Sequence, residues 1–233
     1  MRVFGRRHHK LARADSAYEQ IAQLIELHAA GTVIDVGANV GQYAQRLRAA
    51  GLDLPIVSIE PGMEAHAELV KVAASDPTWT VAPRMAISDA RGTAPLNVNK
   101  RSDMSSLKPM AEATLTAFPK AKPATIEEVR TERLDEILDD LVKPCSRPVY
   151  LKIDTQGCEA EVIRGAERVL NRIVAIQLEM SLMPLYVGEP SYLELLNELD
   201  RLGYDLHFVI PGYFSRVLGR QLQFDGLFVR RPA

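Results

Sequence analysis

The sequence predicts an α/β protein: a doubly wound, seven-stranded sheet whose last strand runs antiparallel, preceded by one N-terminal helix. Three observations predict it. Thr32 to Gly41 reads as a short buried strand entering a glycine turn, and Gln42 to Ala49 carry apolar residues at helical spacing directly behind it. Strand-like and helix-like stretches then alternate through residue 202. The chain closes on two strands, Asp205 to Ile210 and Asp225 to Val229, with no helix between them, which leaves an antiparallel pair at the end.

Composition sets the frame for these elements. A chain of 233 residues suits one doubly wound domain with a full core and is short for two, so residues 16–233 are expected to form one domain behind a basic tail, 1–15. A hydrophobic share of 47% and a charged share of 25% are those of a soluble globular protein. The formal net charge of -2 provides no broad positive field, and nucleic acid is not the expected partner. Cys145 and Cys158 are too far apart for a paired-cysteine motif and read as reduced thiols, which points to the cytoplasm. No apolar run reaches the roughly 18 residues of a membrane span, and residues 1–10 lack the apolar region of a signal peptide.

Taken in order, residues 16–30 set Tyr18, Ile21, Leu24, Ile25 and Leu27 near one helix face, with Ser16 as N-cap and Gly31 as stop. Strand one is Thr32 to Val36, and strand two is Pro55 to Ile59, closed by Glu60 and Pro61. A helix follows over 63–74 and ends at Asp76-Pro77. Trp79 to Ser88 is the third strand region, which Pro83 confines to an edge, a bulge or an early end. Residues 93–133 show weak periodicity and read as a long irregular insertion, a lid or substrate loop, although Leu96 to Asn99 and Val129 to Thr131 have strand character. Regularity returns with the strand Val149 to Asp154, the helix Glu159 to Leu170, the strand Ile173 to Glu179 and the helix 191–202 between Ser191 and Gly203.

The glycine turn is the first candidate site. Gly37 and Gly41 tolerate positive φ and let backbone N–H groups approach a ligand, and an acid about twenty residues further on, Glu60, is where such a sheet holds a ribose. A dinucleotide would need a middle glycine, but Asn39 stands there, in Gly37-Ala38-Asn39-Val40-Gly41. The Asn39 amide and the Asp35 carboxylate suit the ammonium of an amino-acid head group, so S-adenosylmethionine fits both ends of the unit. Pro61, then Ala86 and Ile87 at the third strand's end, would flank the adenine, and Ser105 would close over the cofactor from the loop. A nicotinamide-dependent oxidoreductase and a non-catalytic nucleoside-binding module are the competing readings.

Val33 to Gly41, Ile59-Glu60-Pro61, Arg133-Leu134-Asp135 and, most specifically, Leu151-Lys152-Ile153-Asp154-Thr155-Gln156-Gly157-Cys158-Glu159 resemble the FkbM family of S-adenosylmethionine-dependent methyltransferases. The resemblance runs from about residue 20 to the end and takes in Gln177 to Ser181, Leu185-Tyr186 and Gln223 to Arg230. It implies a class I methyltransferase, Rossmann-like fold and O-methylation of a sugar, glycolipid or polyketide-type hydroxyl. In that fold the end of strand four faces the methyl, which makes Asp154 the first candidate for the base; holding the cofactor's ammonium is its alternative role. Glu179 would bind substrate hydroxyls or assist the base, and His207 is the runner-up base. No metal site is assigned, the arrangement considered being a divalent cation gathered by Asp154, Glu179 and Asp225. Lys152, on the same strand face as Asp154, is expected to pair with an acid.

Overall fold

The computed structural model describes residues 13–142 and 147–232. Most of the basic tail and Cys145 lie outside the described residues. Seven strands form the main sheet: β1 (Thr32–Val36), β2 (Ile56–Ile59), β3 (Trp79–Val81), β7 (Val149–Ile153), β8 (Ile173–Ser181), β9 (Tyr204–Pro211) and β12 (Gln223–Arg230). Their order is β3-β2-β1-β7-β8-β12-β9, all parallel except β12, which runs antiparallel to both neighbours. The expected single antiparallel pair is therefore two, because the last strand inserts between β8 and β9 rather than extending the edge.

Both faces of this sheet are covered. Val33, Ile56, Tyr150, Ala175 and Leu227 pack beneath α1 (Arg13–Leu27), α2 (Gln42–Ala49) and α3 (Met63–Ala73), while Ile34, Val36, Leu151, Ile153 and Ile176 face α5 (Leu134–Leu141), α6 (Glu159–Gly165) and α7 (Tyr192–Arg201). The alternation is that of strands buried on both sides. Among the described residues, α7 alone has the full expected cap: Ser191 Oγ accepts from Glu194 N, the Glu194 carboxylate answers at Ser191 N, and Gly203 ends the helix at φ +87.

The structure departs from expectation at several places. Ser16 lies inside α1 rather than capping it, Leu27 is exposed, and the chain leaves the helix through Ala29 at φ +54 before it reaches Gly31. The expected helix 159–170 breaks into α6 and a 3-10 segment, Glu167–Arg172: Gly165 passes so close to β4 (Ala86–Ile87) that a Cβ would lie 2.1 Å from the Ser88 carbonyl oxygen. Pro83 does end β3 early, and the chain then changes sheets. Residues 93–133 are irregular only in part: the strand character expected at Leu96 to Asn99 and Val129 to Thr131 belongs to two longer strands. β4 pairs with β6 (Thr125–Glu132), which pairs in turn with β5 (Gly92–Val98), and α4 (Glu112–Ala117) lies in the β5–β6 connection. A short hairpin, β10 (Phe214–Ser215) and β11 (Arg220–Gln221), joins β9 to β12.

Candidate active site

The strand order reverses between β1 and β7, and the crevice beyond their C-terminal ends is where an open α/β sheet takes its ligand. Gly37 leaves β1 at φ +77, and a Cβ there would lie 1.8 Å from the Asp154 carbonyl oxygen, so only glycine lets the turns after β1 and β7 meet. The turn continues through Asn39 at φ +50. Its backbone is tied to β2: Gly37 N and Ala38 N donate to Ile59 O, and Asn39 N donates to Glu60 Oε2 at 2.8 Å. Gly62 N donates to the other Glu60 oxygen at 2.8 Å. Burial pushes the Glu60 carboxyl up to about 7, with the Gly62 and Asn39 N–H groups pulling the other way.

A cleft of about 640 Å³ opens along this turn. Of the residues expected there, Gly37, Asn39, Glu60, Pro61, Ala86, Ile87, Ser105 and Asp154 line it together. Asp35, Ala38 and Gly41 are not among its lining residues. Asp35 is fully buried, with Lys152 Nζ 3.1 Å from Oδ1, so its charge is answered inside the protein rather than offered to a ligand. Ala38 is buried in the core beneath α2, and Gly41 makes room for the Trp79 ring and Leu69. Two amide oxygens at the cleft, Asn39 Oδ1 and Gln42 Oε1, are buried with no hydrogen-bond partner among the described residues.

The turn after β7 is built by its own acid. Glu159 accepts from Thr155 N, Thr155 Oγ1 and Gly157 N at 2.9 to 3.1 Å, which holds Gln156 at φ +55 and Gly157 at φ +98. Burial raises the Glu159 carboxyl to about 7. Asp154 stands at the head of this turn, its Oδ1 accepting from Gln156 Nε2 at 2.8 Å and its Oδ2 3.5 Å from Lys152 Nζ. Burial works against the Lys152 ammonium, but Asp35 and Asp154 outweigh it and hold its pKa above the ordinary lysine value. Lys152 Nζ also reaches Gly37 O at 3.3 Å. The expected pairing of Lys152 with an acid is present twice over.

A second, larger cavity of about 1360 Å³ adjoins the cleft and shares Gln42, Asp103, Asp154 and Gln156 with it. Its polar end holds Glu179, whose Oε2 accepts from Gln156 Nε2 at 2.6 Å and Gln223 Nε2 at 2.7 Å. Burial, then the Asp154 and Asp225 carboxylates, push the Glu179 carboxyl well above its ordinary range. Tyr186 closes the network by donating to Gln156 Oε1 at 2.8 Å. Met104, Met110, Phe118 and Leu185 supply an apolar wall.

His207 is not part of this arrangement: it is exposed on the edge strand β9, its ring 5.8 Å from that of His28, and it lines neither cavity. Nor do Asp154, Glu179 and Asp225 form a cation site, since no group of three such side chains suited to a metal exists among the described residues, and Asp225 is bonded to Gln177 Nε2 at 3.0 Å. Sequence reasoning missed Gln42, Gln156 and Gln223 because a neutral amide carries no charge signal. The available hint for Gln156 was its place between the strand-end acid and Gly157.

A model of the methyltransferase FkbM domain matches residues 35–206. Among solved structures, magnesium protoporphyrin IX methyltransferase from Synechocystis PCC 6803 superposes with a TM-score of 0.50 at 10% identity, over 94% of this chain and 80% of that one. An rRNA methylase from Streptococcus thermophilus gives 0.50 at 11% identity, over 96% and 99% of the two chains. At such identities the likeness is one of fold. No curated protein matches the chain.

Proposed function

We propose that this chain, which belongs to the methyltransferase FkbM domain family, uses S-adenosylmethionine to methylate a hydroxyl on the sugar of a glycolipid or glycan, or on a polyketide-type natural product. One observation carries the reading: Asp154, a carboxylate, stands where the cleft and the larger cavity meet. A base in that position reaches a hydroxyl from one side while the other side receives the methyl donor.

The cleft's chemistry suits the cofactor. Each Glu60 oxygen holds one backbone N–H and keeps a lone pair for a ribose hydroxyl. The unpartnered Asn39 and Gln42 amide oxygens are acceptors for an ammonium. Met85, Ala86, Ile87 and Leu96 supply apolar contact for a flat ring. Bound S-adenosylmethionine supplies an already electrophilic methyl, so the protein's part is alignment and proton removal.

Asp154 takes the hydroxyl proton. Gln156 fixes its orientation, spanning Asp154 and Glu179 through one amide nitrogen while Tyr186 anchors the amide oxygen. Glu179 and Gln223 face the second cavity and bind further acceptor hydroxyls. The free, buried thiol of Cys158 accords with work in the cytoplasm, and no helix among the described residues is long and apolar enough to cross a membrane.

The test is labelled-methyl transfer from S-adenosylmethionine to glycolipid, free glycan and polyketide hydroxyl acceptors, with and without a chelator, beside calorimetry with S-adenosylhomocysteine and with NAD. Binding of the homocysteine analogue and transfer lost in Asp154→Asn are expected. Tight NAD binding without a response to the analogue overturns the reading in favour of an oxidoreductase. Analogue binding without transfer to any acceptor leaves a nucleoside-binding module.

A further inference from the structure

Resting on the methylation reading, we infer that the β10–β11 hairpin docks on an anionic lipid surface, and that the acceptor entering the second cavity is an amphiphile held in that membrane. The hairpin exposes four large apolar side chains within six residues: Tyr213 (52%), Phe214 (56%), Val217 (75%) and Leu218 (39%). Apolar side chains exposed singly need no explanation, but a cluster on one short element marks a contact surface.

The charge along the segment itself has one sign. Residues 206–224 contain Arg216 and Arg220 and no aspartate or glutamate, in a chain whose formal net charge is -2. Arg216 has no hydrogen bond or ion pair among the described residues. Arginines interleaved with aliphatic side chains suit an interface of anionic headgroups over acyl chains.

The hairpin is held firmly against the domain. Ser215, paired with Arg220 beside the turn, is fully buried and accepts from Leu218 N at 3.1 Å, Arg220 Nη2 donates to Leu182 O at 3.0 Å, and at the base Leu222 N donates to Tyr213 O at 2.8 Å. Its nine residues from Tyr213 to Gln221 are by themselves too few to form the roughly 20–30-residue side of a stable protein interface, whereas a few exposed apolar side chains beside arginines suit a headgroup layer.

The same base opens on the cavity. Tyr213 and Leu222 line it, and Phe118, 6.4 Å from the Tyr213 ring, continues the apolar wall inward to Met110 and Leu185. The polar lining of the same cavity includes Asp154, Glu179 and Gln223, together with Arg46, Arg101 and Asp103. A molecule matching that lining has a hydroxylated head, which meets the polar side chains, and an apolar body, which lies along the wall that reaches the hairpin.

The experiment is co-sedimentation of the full chain with phosphatidylcholine vesicles, with and without phosphatidylglycerol, for the wild type, Val217→Glu/Leu218→Glu and Arg216→Glu. Calorimetry with S-adenosylhomocysteine runs on the same preparations. The wild type is expected to prefer the anionic vesicles by roughly twenty-five-fold at low salt, about fivefold per arginine, and to lose the preference as salt rises. The aliphatic double variant should lose at least about tenfold of its partitioning, and Arg216→Glu about fivefold or more, with binding of the homocysteine analogue intact in both. Equal partitioning to both vesicle types, wild-type behaviour of the double variant, or hairpin-dependent self-association in sedimentation equilibrium overturns the inference. Loss of analogue binding in the wild type with vesicle preference retained defeats the methylation reading and leaves the membrane surface standing.

Discussion

Replacing Glu60 with Gln separates the cleft's stability from its affinity, because the carboxyl is buried in the free protein and, in the role proposed for it, also holds a ribose hydroxyl of the cofactor. Glu60 ionises in the folded chain only near pH 7, against an ordinary 4.5. The folded state thus holds this proton more tightly than the unfolded one. The group's contribution to stability is fully present below pH 4.5, falls as pH rises, and is lost through pH 7, a difference of about 3 kcal/mol. Gln removes that cost. It also turns one oxygen into a donor facing a backbone N–H of Asn39 or Gly62, which costs about 1–3 kcal/mol. At pH 8 the two effects nearly cancel, and urea denaturation should give Glu60→Gln a stability within about 2 kcal/mol of the wild type. Affinity has no such compensation, since losing one charge-assisted bond to a ribose hydroxyl is worth about 1.5–3 kcal/mol, or roughly tenfold to a hundredfold in Kd for S-adenosylhomocysteine. Calorimetry at pH 8 reads it directly. A Kd within twofold of wild type refutes the ribose role, and a variant that unfolds at pH 8 refutes the energetic argument.

Three further outcomes follow from the same geometry. Gly37→Ala combines an L-residue at φ +77, about 1–2 kcal/mol, with a Cβ driven into the Asp154 carbonyl, and calorimetric unfolding should show a loss of at least about 2 kcal/mol. Lys152→Met strands the fully buried Asp35 carboxylate and should cost about 3–5 kcal/mol in chemical denaturation, with Asp35→Asn on that background recovering part of the loss. Asp154→Asn should lower the rate of methyl transfer by about 10²–10⁴-fold with the smaller effect on S-adenosylhomocysteine affinity, which single-turnover transfer beside calorimetry would resolve.

What the sequence revealed, and what it hid, follows from the range of the interactions involved. The β1 turn was legible because its constraints are local: Gly37 must adopt positive φ, Asn39 replaces a glycine, and Glu60 follows at strand spacing. The role of Asp35 was not, because it depends on the register that sets Asp35 beside Lys152 across two strands distant in sequence. Both are charged residues within apolar strands, one place before their ends, and only the pairing decides which charge is spent inside. Residues 93–133 concealed most of a three-stranded sheet because Leu96 and Val129 are the only apolar residues of β5 and β6 that are buried, the other two buried positions, Thr131 and Glu132, are polar, and Pro95 sits within β5, so the apolar alternation is weak. His207 alternated correctly along its strand, but alternation does not tell an edge strand from a central one, and β9 lies at the edge. Glu159 belonged to the most specific motif of the chain, yet its work, clamping the turn that presents Asp154, became visible only through its contacts with Thr155 and Gly157.

Lys152 holds Asp35, the Gly37 carbonyl and Asp154 from a single ammonium, and Asp154 N returns a bond to Val36 O at 3.0 Å. The two loops are in effect one casting, so thermal breathing of the domain carries them together and preserves the spacing between donor and acceptor. The β5–β6 layer is joined to that casting, through Leu96 in the cleft and Ser106 Oγ, which donates to Gln156 O at 2.6 Å, whereas the β10–β11 hairpin lies outside it. Lineages or engineers could exchange the hairpin to recruit new acceptors while the layer stays with the transfer geometry.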